Sequence, residues 1–325
     1  MTTRTSILRL FAAATCLFAW QAAHAQAAGF PNKPVTLLVP FAAGGPTDQM
    51  ARALGEVLSE RLGQPVVVDP RPGAGGQIAG MSLMHNPADG YTVMLGETSV
   101  LASNASLYKK FAYNPITDLQ PVGLLMSMPM LLYVPKNSYA SSLKDLAALG
   151  QEKTLNYASQ GAGSLGHLMA EVFKKETHSD LNHVPYKGSA PAMVDLIGGQ
   201  VDLLFDGLAP GRPYVLDGRL KALAIAAPQR SPLLPQVPTM AEQGQAGQDA
   251  SVWYGAVVRA GTPAPVARRL ADEIAAALKN PRFAQRFQDQ GFEVGGMDLA
   301  RFREYIKAEN ERWGKVIRAH AIAVD

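Results

Sequence analysis

Two short glycine-bearing loops are the parts of this sequence best suited to chemistry. The first reads Phe41-Ala42-Ala43-Gly44-Gly45-Pro46-Thr47-Asp48 and the second Ser159-Gln160-Gly161-Ala162-Gly163-Ser164. Each follows an apolar run of strand type, and each ends at a polar residue placed to cap the helical pattern that comes next. A helix N-terminus leaves backbone N–H groups without intrahelical partners and carries partial positive charge, while glycine lets a ligand approach that backbone closely. One such junction is worth about 0.5 to 2 kcal/mol to an anion. Two junctions and several hydrogen bonds approach the roughly 8 kcal/mol of a micromolar complex. The competing reading is that the glycines only make tight strand-to-helix turns. The candidate ligand-binding residues are Phe41, Ala42, Ala43, Gly44, Gly45, Thr47 and Asp48 from the first loop and Ser159, Gly161, Gly163 and Ser164 from the second. His167, early in the helical pattern after Ser164, joins them.

Polar residues beyond other strand-like runs are candidates to complete the site. Asp202 and Asp206 flank Leu203-Leu204-Phe205, so with period two they point the same way, and Asp206 stands at the carboxyl end. There it would accept hydrogen bonds from a ligand ammonium or a bound water, or else cap a turn with Gly207. Thr98 and Ser99 stand on the same rim beyond the run 91–95, unless they only cap a helix. Trp253 and Tyr254 read as hinge or core aromatics.

Other chemistries lack their spacing. Gly161, Gly163 and Gly166 match G-x-G-x-x-G, but the next strand ends in His183-Val184-Pro185 rather than in the acidic residue a dinucleotide site needs. Ser159 lacks the first glycine of a nucleophile elbow, and there is no G-x-x-x-x-G-K-[ST] loop. His85, His167, His178, His183 and His320 never take a metal spacing such as H-E-x-x-H, and apart from His167 they read as surface or helix-cap residues. No catalytic residue, metal or cofactor is expected.

The elements that must position these loops alternate in βα fashion. The run 35–39 is apolar on nearly every residue, as a strand covered on both faces would be. Met50, Leu54, Val57, Leu58 and Leu62 fall at helical spacing over 47–62, and Gly63 closes that helix. Strands are expected at 66–68 and 91–95, with a helix over 75–84 between them. The stretch 119–134 reads as two apolar runs broken at Ser127-Met128-Pro129, because proline is not expected inside a central strand. The rhythm then restarts, with strands at 155–158, 182–185, 201–205 and 220–226 and helices at 164–175 and 190–198.

The stretch 228–248, rich in Pro, Gln and Gly, reads as a return linker to a strand at 252–258. The rest is helical, with Thr262 as a cap and Leu270, Ile274, Ala277 and Leu278 on one face. A last helix from Asp298 would bury Leu299, Phe302, Ile306, Trp313 and Ile317. The expected class is α/β, with two lobes, each an open and mostly parallel sheet flanked by helices, joined by a hinge with two crossings. Lobe one takes residues 26–128 and 250–325, and lobe two takes 129–249 with the return linker. Ligands bind such sheets beyond the carboxyl ends of the strands, which makes the cleft between lobes the expected site.

Arg4 and Arg9 precede an apolar run ending at Trp20, and Ala23-His24-Ala25 follows, the order of a secretory signal peptide spanning residues 1–25. Its removal would leave 300 of the 325 residues and take away Cys16, the one cysteine; acylation at Cys16 is the alternative. The formal charge would fall from +3 to +1, and no Lys/Arg-rich block calls for nucleic acid.

The same residues form a series that resembles the Bug-type receptors. It runs through Pro34-Val35, Val39-Pro40-Phe41, Ala43 to Asp48, Arg71-Pro72-Gly73-Ala74-Gly75-Gly76, Gly161-Ala162-Gly163-Ser164, His183-Val184-Pro185-Tyr186-Lys187-Gly188 and Gly199-Gln200-Val201-Asp202. Those receptors are the extracytoplasmic solute-binding component of tripartite tricarboxylate transporters. The resemblance implies a two-lobed periplasmic-binding-protein fold, type II like. It implies a monomer in the periplasm that closes on a small carboxylate: a dicarboxylate, tricarboxylate, acidic amino acid or aromatic carboxylate. The two loops would pinch the ligand carboxylate through backbone groups and waters, with Asp206 near its distal part. The expected partners are membrane permease subunits or, as the alternative, a sensor protein. An exported carboxylate-processing enzyme is the remaining alternative. Pro46 and Gly96-Glu97-Thr98 depart from the commonest spelling.

Overall fold

The computed structural model describes residues 29–295 and 297–324. The expected signal peptide and Cys16 lie outside the described residues.

Strand β1 (Val35–Val39) is buried almost throughout and pairs in parallel with β2 (Val66–Pro70) on one side and β3 (Thr92–Glu97) on the other. Helix α1 (Pro46–Leu62) links the first two strands. It starts with Pro46, whose missing N–H costs nothing in a first turn, and stops at left-handed Gly63. Helix α2 (Gln77–His85) leads into β3. A π-helical turn, Ser99–Ser103, and the short α3 (Asn104–Leu107) then carry the chain under β3.

Strand β4 (Leu119–Pro135) corrects an expectation, since it runs unbroken through Pro129. The reason is a change of partner. Up to Pro129 the strand pairs with a later strand, and from Met130 onward it pairs with a second set of strands instead. A residue without an N–H is tolerated where one ladder ends and another begins. Pro121 is accommodated in the same way beside a register shift.

Beyond the crossover lie α4 (Leu143–Glu152), β5 (Leu155–Ser159), α5 (Leu165–Thr177), β6 (Leu181–Pro185), α6 (Ser189–Ile197), β7 (Leu203–Gly207), α7 (Leu208–Leu216) and β8 (Leu220–Ile225). Strands β6, β5 and β7 are parallel, while β7 and β8 run antiparallel to β4. Helices α4 and α7 were not foreseen, and β7 sits two residues later than the expected 201–205. The segment 228–248 is largely irregular, with a 3-10 turn at Ala241–Gln243.

The chain returns at β9 (Ser251–Arg259), antiparallel to both β3 and β4. The two passages are tied together there: Met130 N–H donates to the Ala250 carbonyl, Ala226 N–H to Met130, and Ala250 N–H to Ala226, at 2.8–2.9 Å. The path β2-β1-β3-β9-β4-β7-β5-β6 therefore makes one continuous sheet of two α/β halves.

The C-terminal segment packs back on the first half. In α8 (Ala264–Leu278) the expected face of Leu270, Ile274, Ala277 and Leu278 is buried. Each large side chain there stabilises by about 1.5–3 kcal/mol. Thr262 does not cap this helix: Pro263 holds the cap position, and the Thr262 hydroxyl donates to Arg259. Helix α9 (Pro281–Gln288) is followed by β10 (Glu293–Val294), a short strand that pairs with β4 at Met126 and Ser127 and so interrupts the expected helical run. Helix α10 (Leu299–Ala319) is capped by Asp298 and buries Phe302, Ile306, Trp313 and Ile317, with Leu299 only half-buried. Glu309 lies buried on the same stripe, where one carboxylate oxygen accepts from the indoles of both Trp253 and Trp313 at 3.1 and 3.2 Å. That satisfies the two polar atoms a tryptophan core would otherwise orphan.

Candidate functional site

The second glycine loop joins β5 to α5. Ser164 is the helix cap and accepts from the His167 N–H. Behind the loop, Tyr157, His183 and His167 stack nearly parallel, the two imidazoles 4.2 Å apart at 3° and Tyr157 4.7 Å from His183. His183, expected at the surface, is therefore an inner part of this site. It is drawn in because β6 pairs with β5 in a register that sets His183 opposite Tyr157.

Each imidazole holds the loop. His167 Nδ1 accepts from the Gly163 N–H at 3.1 Å, and His183 Nε2 lies 2.6 Å from the Ser159 hydroxyl, which also accepts from Gly161 N–H. Accepting at Nδ1 requires neutral His167, and burial pushes its pKa down to about 4. His183 is likewise pushed down to about 4, by burial first and then by His167 beside it. The Gly161, Gly163 and Ser164 amides thus have partners within the loop. The sequence had offered these donors to an anion. What remains for a ligand here is the first turn of α5, where Leu165 and Gly166 have no intrahelical acceptor.

The first loop is arranged differently from its expected form. The cap position of α1 is Gly45, not a polar residue, and no side chain caps it. Buried Asp48 reaches back from the first turn to accept Gly44 N–H at 2.9 Å and pairs with Arg52 at 2.9 and 3.1 Å. Burial opposes ionisation of Asp48, but Arg52 and the Gly44 amide outweigh it and hold the carboxyl below its ordinary value. Asp48 therefore ties its own loop down. Ala42, Ala43 and Gly44 are exposed, Phe41 and Gly45 are half-buried, and Thr47 is buried.

At the carboxyl ends of β3 and β7 stand two acidic groups, near enough for the charge on Asp206 to bear on Glu97. Glu97 ends β3 opposite Tyr254 of β9, and Asp206 sits in β7 opposite Leu131 of β4, on either side of the crossover. Burial pushes the Glu97 pKa up to about 7; the Ser99 hydroxyl, 2.7 Å away, pulls it down, and the Asp206 charge adds to the rise. Glu97 keeps part of its surface open to solvent, as a group on a cleft floor does. Asp206 is 4% exposed. Burial drives its pKa up to about 6 against Ser189, the Gly207 amide and Gln160. Its Oδ1 accepts from Gly207 N–H at 2.7 Å, the turn cap foreseen as an alternative, while Oδ2 is buried with no hydrogen-bond partner. Thr98 is turned away, its hydroxyl accepting from Trp253 N–H, and Ser99 acts through Glu97.

The halves touch where the second loop meets α3. The Tyr108 hydroxyl donates to the Ala162 carbonyl at 3.5 Å. A Cβ on Gly163 would stand 2.9 Å from Asn104 Oδ1. That oxygen is itself buried without a hydrogen-bond partner, as is Ser103 Oγ. The Asn104 amide meanwhile donates to Gly75, so the turn at Ala74–Gly76 braces the same seam.

The structure thus gathers Ser159, Gly161, Gly163, Ser164 and His167 in one loop-to-helix junction and sets Ser99 and Asp206 at the ends of β3 and β7, with β9 and β4 between those strands. Glu97, Asn104, Gln160 and His183 were not among the candidates. For Glu97 a signal existed: it is the one charged residue at a strand end where Thr98 and Ser99 were chosen by the same rule. For Asn104 none existed, since a π-helical turn sets its direction. Among the described residues no group of three or more His, Cys, Asp or Glu is placed to hold a metal, and no helix is long and apolar enough to cross a membrane.

The comparisons with known proteins bear on the family and the fold. The family model described as the tripartite tricarboxylate transporter family receptor matches residues 50–322. Protein BugT of Bordetella pertussis is 36% identical over 300 residues, covering 91% of this chain and 92% of its own. Among solved structures, MatC of Rhodopseudomonas palustris with bound malate has a TM-score of 0.84 at 33% identity, covering 89% of this chain and 100% of its own. Rpa4515 of R. palustris, solved with adipate, has a TM-score of 0.84 at 36% identity, covering 90% of this chain and 99% of its own.

Proposed function

We propose that this chain, which belongs to the tripartite tricarboxylate transporter receptor family, is a periplasmic receptor that encloses a small carboxylate-bearing solute between two lobes and delivers it to membrane permease subunits. The supporting observation is a pairing: one turn-to-helix junction from each half of the sheet, before α1 and before α5, set on either side of the double crossover. The first-turn amides at Thr47, Asp48, Leu165 and Gly166 lack intrahelical acceptors and point positive potential at whatever lies beyond the strand ends. Relatives whose structures hold malate and adipate support a carboxylate as the solute.

The lobe boundaries proposed are 26–128 with 250–325 for one and 129–249 for the other, with the hinge at Met130, Ala226 and Ala250. The proposed ligand-contacting set is Phe41 to Gly45, Thr47, Leu165, Gly166 and Asp206, with Asp48, Thr98, Ser99, Ser159, Gly161, Gly163, Ser164 and His167 acting behind them as positioning residues. Closure signals occupancy only if the closed form binds the solute more tightly than the open form. Export through residues 1–25 and a monomeric state belong to the same reading.

One observation bears on an enzyme reading, the 2.6 Å contact of Ser159 Oγ with His183 Nε2. Ser159 is fully buried and its hydroxyl already serves Gly161, so the pair lacks the access a nucleophile needs. It holds the loop instead. A panel of mono-, di- and tricarboxylates, acidic amino acids and aromatic acids tests the receptor reading by thermal shift and calorimetry. At least one is expected to bind at about micromolar affinity and to be recovered intact by mass spectrometry. No shift with any acid would sink the reading, and turnover of the bound acid would replace it with the enzyme.

A further inference from the structure

The far end of the cleft is built unlike its anion-attracting turns. Glu97 and Asp206 approach from opposite halves of the sheet, each at a strand's carboxyl end and each beside the crossover. They are close enough for the charge on Asp206 to act on Glu97, and both act on Tyr254, which burial keeps neutral. Tyr133, also neutral, feels Asp206 as well. The groups that favour the ionised form of either carboxyl are Ser99, Ser189, Gln160 and the Gly207 amide, none of them a cation.

Two carboxyls sharing a desolvated space without a cation are unfavourable unless a proton or a positive ligand sits between them. An unpaired atom specifies what is missing. Asp206 Oδ2, on a side chain 4% exposed, is a buried acceptor without a donor. Of the other unpaired buried atoms among the described residues, Asn104 Oδ1 lies against Gly163 of the second loop and Arg212 Nε belongs to a side chain whose guanidinium reaches the Asp289 carbonyl. A buried acceptor left open calls for a donor from outside.

We infer that the solute is an amino-carboxylate whose cationic nitrogen, at the end remote from its carboxylate, is received by Glu97 and Asp206. The inference rests on the carboxylate reading above and deepens it. The carboxylate end lies at the turn-to-helix junctions, and the nitrogen donates to Asp206 Oδ2 and the Glu97 carboxylate. A second carboxylate at that end would instead meet two groups of its own sign, so the pair acts against dicarboxylates as well as for the amine. A metal ion suits the place poorly, because two carboxyls with no third such ligand make a sparse coordination set.

The experiment compares matched pairs on the intact receptor at about pH 8, where both carboxyls are ionised: β-alanine with succinate, γ-aminobutyrate with glutarate, and ε-aminocaproate with pimelate. For the best-fitting length, the amino-carboxylate is expected to bind at least about tenfold tighter than its dicarboxylate partner, which Coulomb interaction over a few ångströms readily supplies. Glu97→Gln is expected to shift that ratio about tenfold toward the dicarboxylate, and Asp206→Asn to shift it the same way. Because the wild-type comparison needs no variant, a misfolded substitution leaves the test standing. Tighter dicarboxylate binding in the wild type, or a ratio that neither substitution moves, overturns the inference while leaving the carboxylate receptor intact. A calcium- or magnesium-dependent rise in melting temperature that Glu97→Gln abolishes also overturns it. Binding of no pair member, together with silence across the wider acid panel, overturns both.

Discussion

Glu97 and His167 carry opposite instructions about pH, although burial is the first cause of both shifts. Glu97 is raised from 4.5 to about 7, so over that window the folded form holds a proton that the unfolded chain has released. Its contribution is complete below the ordinary value and fades as pH rises through the folded one. His167 is lowered from 6.5 to about 4, so the unfolded chain binds the extra proton and its contribution fades as pH falls through that range. The windows overlap, and the native protein should show a nearly flat melting temperature between them. Glu97→Gln removes its share of the falling limb and leaves that of Asp206, raised from 3.8 to about 6. Relative to the wild type, it should gain on the order of 2 kcal/mol between about pH 5 and pH 8, allowing for partial solvent access. Melting curves at the two pH values check this; a difference that stays constant would mean that Glu97 does not titrate in that range.

At the scale of elements, the loop between β5 and α5 is a preformed part rather than a flexible one. The Tyr157–His183–His167 stack lies behind it, Ser164 caps the helix in front, and three of its own amides are internally bonded. Gly163 is the position where a side chain would press across the seam between the halves. Its φ is +81°, and an added Cβ would press on Asn104 Oδ1 at 2.9 Å and Leu107 at 3.0 Å. Gly163→Val should cost about 1–3 kcal/mol of stability through strain at a left-handed position. The larger consequence is for closure, because the added methyl groups hold the loop off α3. The variant should fold with a lowered melting temperature and bind its solute at least about tenfold more weakly, or about 1.4 kcal/mol. Calorimetry reads the second effect separately, and an unchanged affinity would show that this seam takes no part in closing.

At the scale of the whole molecule, one sheet with a double crossover is the core and, in the proposed receptor, the hinge. The three backbone bonds joining Met130, Ala226 and Ala250 tie the two passages together, and in that proposal the halves rotate about this point without exchanging partners. Small-angle scattering should show a smaller radius of gyration on adding a bound acid, and no contraction at saturation would argue for a rigid receptor. Much of this was legible in the sequence, because strand and helix periodicity, glycine turns and caps are local properties. The βα order, the helix closing at Gly63, the Asp298 cap and the buried faces of α8 and α10 follow from residues a few positions apart. Local rules also located the two turn-to-helix junctions. They failed where a partner from far along the chain decided the outcome. Pro129 breaks no strand, because the ladder changes neighbours there. His183 is drawn in, because β6 sets it against Tyr157, and the loop amides that look open are closed by His167 and Ser159. That the charge on Asp206 bears on Glu97, 109 positions earlier, is decided by the tertiary structure alone. Electrostatic energy and desolvation depend on distance in space, which periodicity along the chain does not encode.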